Sequence, residues 1–101
     1  MKLIKLLERL EYTCLQGEID KEISGIVNDS RKVTQGSLFF CIKGAVSDGH
    51  TYALDVAQKG AAAIIVQEPV EVPESVTVIQ VADSRYAMAL VAAAWYDYPA
   101  E

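Results

Sequence analysis

The stretch "SDGHTYALDVAQKGAAAIIVQ", residues 47–67, decides the fold. Asp48-Gly49 marks a turn and Thr51 can cap a helix, while Lys59-Gly60 supplies a cation and then a glycine where a helix would end. The apolar run "AAAIIV" follows at once. With "SLFFCIK", residues 37–43, before it, the order is strand, helix, glycine, apolar strand, which is how a βαβ crossover reads in sequence. An apolar run without alternation suits a central parallel strand covered on both faces.

Toward the N-terminus, "EISGIVN" is a short β-prone run, separated from "SLFFCIK" by the polar "DSRKVTQG", whose Gly36 favours a turn. Two strands joined by an ordered loop are predicted. Leu3, Leu6, Leu7 and Leu10 recur on one helical face, so the chain is expected to open with an amphipathic helix. Toward the C-terminus, Pro69 and Pro73 make "QEPVEVPES" a loop, and the β-branched "VTVIQVA" is a further strand. "DSRYAMALVAAAWYDY" then reads as a long helix with Asp83 or Ser84 at its N-cap and Pro99 as its stop. Its apolar residues wrap most of the wheel, so it is expected to pack on the sheet or on something beyond this chain. Trp95, Tyr96 and Tyr98 fit core packing or a domain interface better than a stacking platform for a base.

The chain has 101 residues, enough for one domain with its own core. Fourteen acidic and nine basic residues give a net charge of −5, and the basic residues are scattered singly, so no nucleic-acid partner is expected. Charged residues among the N-terminal leucines exclude a secretory core or a membrane span there, which makes a cytoplasmic chain the expectation. Cys14 and Cys41 stand far apart with no histidine at ligand spacing, and His50 is the only histidine, so no metal site is expected. Cys41, inside "LFFCI", reads as a small buried hydrophobe.

Catalytic parts are missing. The chain has neither a GxxxxGK[ST] phosphate loop nor a GxGxxG fingerprint, and His50 has no evident nucleophile to serve. Binding parts are better supplied. Asn28, Asp29 and Ser30 offer short polar side chains after a strand, and "KGAVSDGH", with Gly44 and Gly49, lets backbone approach a ligand closely. Both segments can gather at the carboxyl ends of parallel strands, where open α/β sheets hold ligands. The competing local roles are plain: Asp29 and Ser30 can stabilise their own turn, Arg31 can be a salt-bridge partner, and Lys43 can simply be exposed.

As an ordered series, "NDSRKVTQGSLFFCIKGAVSDGHTYALDVAQKGAAAIIV" resembles the N-terminal domain of the Mur ligases, over a match running from about Ile23 to the end of the chain. That resemblance implies an α/β fold, a small mixed, largely parallel sheet with flanking helices. Two ligases of the family share the domain, one adding the third residue of the peptidoglycan stem peptide and one adding D-alanyl-D-alanine. The closing "DSRYAMALVAAAWYDYPAE" is similar to the former. The resemblance implies that this domain holds the UDP end of UDP-N-acetylmuramoyl-L-Ala-D-Glu. A central domain would bind ATP and magnesium, and a C-terminal domain the incoming diaminopimelate or lysine. Neither of these would lie within the 101 residues, which alone would be inactive.

Position by position, Ser30 matches the family serine that contacts the UDP-sugar, and Asn28 a neighbouring contact position. Ala45, Val46 and Ser47, after Gly44, occupy the second substrate loop, where backbone hydrogen bonds are expected, and Asp48, Gly49 and His50 match a motif that shapes it. The second Asp-Ser-Arg, residues 83–85, aligns with a helix start and is expected to cap. The alternatives are the D-alanyl-D-alanine-adding ligase and a free-standing α/β interaction module.

Overall fold

The computed structural model describes residues 2–42 and 52–97, and the crossover expected around Gly60 lies at its centre. In chain order the elements are α1 (Leu3–Leu6), β1 (Thr13–Gln16), β2 (Gly25–Val27), β3 (Ser37–Phe40), α2 (Ala53–Gln58), β4 (Ala63–Val66), β5 (Thr77–Gln80) and α3 (Ser84–Asp97), with one 3-10 turn at Ser30–Lys32. The strands form one five-stranded sheet in the order β1-β5-β4-β3-β2. β2 to β5 run parallel, with Phe39 level with Ile64 and Ile64 level with Val78, whereas β1 joins β5 antiparallel. The predicted class, mixed and largely parallel, is the one found.

The two-residue period of the strands divides the core. Leu38, Phe40, Ala63, Ile65 and Ile79 face α1 and α3, meeting Leu3, Leu6, Leu7, Ala87 and Val91. Phe39, Cys41, Ile64, Val66 and Val78 face the other way, meeting Ala53 and Val56 of α2. Val33 and the partly buried Val70 and Val72 cover the same second face from the loops before β3 and β5. Because β2, β3, β4 and β5 lie side by side in chain order, three crossovers of one hand must stack on one face. The opposite face is left for α1 and α3. This explains why β3 and β4 are buried at every position and, apart from Ser37, read as apolar runs. Cys41 is fully buried, as its apolar neighbours led one to expect.

Two glycines fix the crossover geometry. Gly60 ends α2 at φ 103, and a Cβ there would lie 2.7 Å from Gln35 Oε1 and 3.1 Å from the Gln35 Cα. Its carbonyl accepts from the Gly36 N–H at 2.8 Å, tying the start of β3 to the end of α2. At the same edge of the sheet the Lys21 ammonium donates to the carbonyls of Ala62 and Ser75, closing the chain ends that lead into β4 and β5. Its pKa is lowered by burial.

Three details differ from the sequence reading. The leucine spacing at the N-terminus yields a single helical turn, with Leu3, Leu6 and Leu7 buried; the chain then bends, Leu10 N–H bonding to Leu7 O. One turn is enough to deliver those leucines to the sheet. β1 had no predicted counterpart, because Thr13, Cys14 and Leu15 are all exposed and show no alternation. Tyr52 occupies the α2 N-cap position without a side-chain cap bond. Thr51, expected to cap that helix, lies outside the described residues. Among the described residues no helix is long and apolar enough to cross a membrane.

Candidate functional site

β2 ends at Val27, and the chain must travel from its carboxyl end back to the start of β3 within residues 28–36. Asp29 makes the first bend. Its backbone is extended, and its Oδ1 accepts from the Arg31 N–H at 2.9 Å, the side-chain cap of the 3-10 turn. The Lys32 N–H closes the turn on Asp29 O at 2.9 Å.

Arg31 then folds back on the carboxylate that caps it, Nε to Oδ1 at 3.1 Å and Nη2 to Oδ2 at 2.9 Å. Side-chain and backbone hydrogen bonds from Arg31 hold the Asp29 carboxyl down at about 2, and the same pairing raises the guanidinium. From across the crossover, the Lys59 ammonium donates to Ser30 O at 2.9 Å and pairs with Asp55 at 3.2 Å. The turn that carries Ser30 is therefore braced locally by Asp29 and Arg31, and from α2 by Lys59.

Two clefts meet at this edge of the sheet. The larger, about 630 Å³, is lined by Asn28, Asp29, Ser30, Arg31, Phe39, Ile42 and Tyr52. The smaller, about 250 Å³ and more apolar in its side chains, lies on the α3 side between Ile26, Val27, Asn28, Phe40, Met88, Ala92 and Tyr96. Asn28, exposed, borders both. The larger cleft combines apolar floor positions with hydroxyl, amide and guanidinium groups at its rim, a combination suited to a polar ligand with a planar part. Its position follows from the topology, since these segments leave the carboxyl ends of adjacent parallel strands.

Of the residues predicted to bind, Asn28 and Ser30 are brought together in this cleft. Gly44, Ala45, Val46, Ser47, Asp48, Gly49 and His50 lie outside the described residues. Ile42 and Tyr52, which flank that stretch, both line the same cleft. Neither had been picked out from the sequence. The available signal was position: each lies two residues from an end of the candidate stretch Gly44 to His50.

The second Asp-Ser-Arg repeats the local chemistry of the first. Asp83 Oδ1 accepts from the N–H of Arg85 at 2.9 Å and of Tyr86 at 3.2 Å, so Asp83, and not Ser84, caps α3. Ser84 is wholly buried; its N–H donates to Gln67 Oε1, and its Oγ has no partner among the described residues. Among the described residues no group of three His, Cys, Asp or Glu side chains could hold a metal ion.

Comparison with known proteins extends this geometry. The family described as "Mur ligase family, catalytic domain" matches residues 22–96. The UDP-N-acetylmuramoyl-L-alanyl-D-glutamate--2,6-diaminopimelate ligase of Clostridioides difficile (strain 630) is 46% identical over 101 residues, 100% of this chain and 21% of that protein. The enzyme of the same name from Syntrophomonas wolfei is 40% identical over 101 residues, again 100% of this chain and 21% of the relative. Among solved structures, MurF from Acinetobacter baumannii superposes with a TM-score of 0.80 at 26% identity, covering 92% of this chain and 20% of that one. The chain thus spans about a fifth of the length of the curated relatives it matches.

Proposed function

The chain belongs to the Mur ligase family, and from that premise we propose that it is the domain that holds the UDP end of UDP-N-acetylmuramoyl-L-alanyl-D-glutamate in the ATP-dependent ligase that adds diaminopimelate. The observation that carries the proposal is the cleft at the ends of β2 and β3, which gathers Asn28 and Ser30 with Arg31 and Tyr52 inside the matched region. Diaminopimelate is favoured over D-alanyl-D-alanine as the added group by the relatives: 46% and 40% identity over the whole chain to ligases named for the former, against 26% to MurF.

In this reading the domain binds and orients. Ser30 offers a hydroxyl that is both donor and acceptor, and Asn28 a carboxamide with the same double capacity, which suits an imide edge or a phosphate oxygen. Arg31 contributes a charge already shared with Asp29, so it tempers the rim without making it strongly cationic. Gly44 to His50, with Ala45, Val46, Ser47, Asp48 and Gly49 between them, are proposed as further substrate-binding residues. Forming the amide requires a carboxylate activated by phosphoryl transfer, with cationic and metal stabilisation of the transferring group. The chain's sequence holds no phosphate loop of the GxxxxGK[ST] type. We assign ATP and magnesium to the four-fifths of a relative's length outside the match, and the isolated chain is expected to bind without catalysing.

Titration of the chain with UDP-N-acetylmuramoyl-L-alanyl-D-glutamate, followed through amide resonances, tests the proposal. Ser30 and its neighbours should shift on saturation, and Ser30→Ala should weaken binding by roughly tenfold, the scale of one lost hydrogen bond in a polar site. An unchanged spectrum at millimolar ligand would sink the proposal.

A further inference from the structure

Resting on the reading of this cleft as the substrate site, we infer that Lys59 is a positioning residue: held by Asp55, its ammonium fixes the Ser30–Arg31 peptide group in the orientation that presents Ser30 to the ligand.

The turn is held by hydrogen bonds and not by packing of its own side chains. None of the residues in Ser30–Lys32 is buried, and the connection containing it joins two adjacent parallel strands through residues 28–36 without an α-helix. Parallel neighbours are ordinarily linked by a longer, helical crossover whose packing fixes its ends. Here the apolar anchor is Val33, beyond the turn.

What fixes Ser30 is a single peptide unit pinned at both of its polar ends. Its oxygen, Ser30 O, receives the Lys59 ammonium at 2.9 Å. Its N–H, that of Arg31, donates to Asp29 Oδ1 at 2.9 Å. Because a peptide group is planar, holding both its oxygen and its hydrogen sets the plane, and with it the torsion on the Ser30 side. Neither of these bonds uses Ser30 Oγ.

Lys59 is itself aimed. Asp55 lies four residues before it on α2, the favoured order for an acid–base pair on a helix, with Oδ2 at 3.2 Å from Nζ. An ammonium has three donors, so it can serve the carboxylate and the carbonyl together. The next residue, Gly60, takes the Gly36 N–H, so the 28–36 connection is fastened to the end of α2 near both of its own ends.

The test compares the chain with its Lys59→Met, Lys59→Arg and Asp55→Asn variants. UDP-N-acetylmuramoyl-L-alanyl-D-glutamate serves as probe for affinity, and thermal midpoints and the ligand-free amide resonance of Arg31 are read alongside. Lys59→Met should bind about fivefold more weakly, on the scale of one hydrogen bond. Its midpoint should stay within about 2 °C, as expected for an exposed ion pair. Its Arg31 resonance should move before any ligand is added. Lys59→Arg should recover most of the affinity, and Asp55→Asn should lose less than Lys59→Met. Equal affinity in wild type and Lys59→Met overturns the inference and leaves the functional reading standing. A parallel fall in affinity and midpoint that Lys59→Arg does not repair shows a merely structural lysine and also overturns it. A wild-type chain that fails to bind refutes the functional reading, and this inference with it.

Discussion

Asp83 and Ser84 stand side by side at the start of α3, and their replacement by alanine should move stability in opposite directions. Asp83 satisfies two of the free N–H groups of the first helical turn, those of Arg85 and Tyr86. Losing such a cap costs about 1 kcal/mol. Ser84 is the reverse case: its hydroxyl is buried without a partner among the described residues, so it bears a desolvation penalty that no bond offsets. Removing an unsatisfied hydroxyl recovers about 1 kcal/mol, less a small loss from the void it leaves. The backbone bond from Ser84 N–H to Gln67 survives in alanine. Thermal and urea unfolding should therefore place Asp83→Ala about 4–8 °C below wild type, on the scale expected for a domain of this size. Ser84→Ala should lie at or above wild type, and the double variant should fall between the two. A Ser84→Ala chain destabilised as much as Asp83→Ala would refute the reasoning, because it would mean that the hydroxyl has a partner of consequence.

Further outcomes follow from the crossover and the turn. Gly60→Ala should destabilise by about 2 kcal/mol in urea unfolding, since the new Cβ meets Gln35 at 2.7 Å and the backbone stands at φ 103. The Asp29 carboxyl should titrate at about 2 by NMR, and Arg31→Met should carry it up toward the ordinary carboxylate range. Because its folded pKa lies below the unfolded one, the stabilisation from this carboxylate is complete above the unfolded value near 4 and is lost as pH falls toward about 2. Acid unfolding of Arg31→Met should accordingly lack that component. Lys21→Met should lower the thermal midpoint by several degrees, as it strips the Ala62 and Ser75 carbonyls of a charged donor at the sheet edge.

The centre of the sheet was readable because burial on both faces writes itself as an unbroken apolar run, and the glycine after Lys59 marked where the helix had to stop. The periphery was not. β1 is an exposed edge strand whose pairing with β5 is made by backbone groups, and backbone hydrogen bonding leaves no pattern in side chains. The spacing of the N-terminal leucines says which face is apolar and not how many turns carry it, and a single turn delivers Leu3 and Leu6 to the core. In the candidate cleft, Asn28 and Ser30 were found through their local type and order. Tyr52 and Ile42 were missed because nothing in their immediate neighbours sets them apart until the fold closes the cleft around them.

The two Asp-Ser-Arg triplets show where local reading ends. Read by their contexts, one would be a site and the other a cap. Built out, both aspartates accept from the N–H two residues on, and both open a helical turn. The triplet encodes that turn in each place, and what separates the copies is what arrives from elsewhere in the chain. At the first, a lysine from α2 takes the Ser30 carbonyl, the serine is left at the rim of a cleft, and the helix stops after one 3-10 turn. At the second, Gln67 takes the Ser84 N–H, the serine is buried, and the helix runs on to Asp97. A capping motif becomes a candidate binding motif when its helix is cut short and its second residue is kept in the open, and here the lysine that takes the carbonyl of that residue comes from the crossover between β3 and β4.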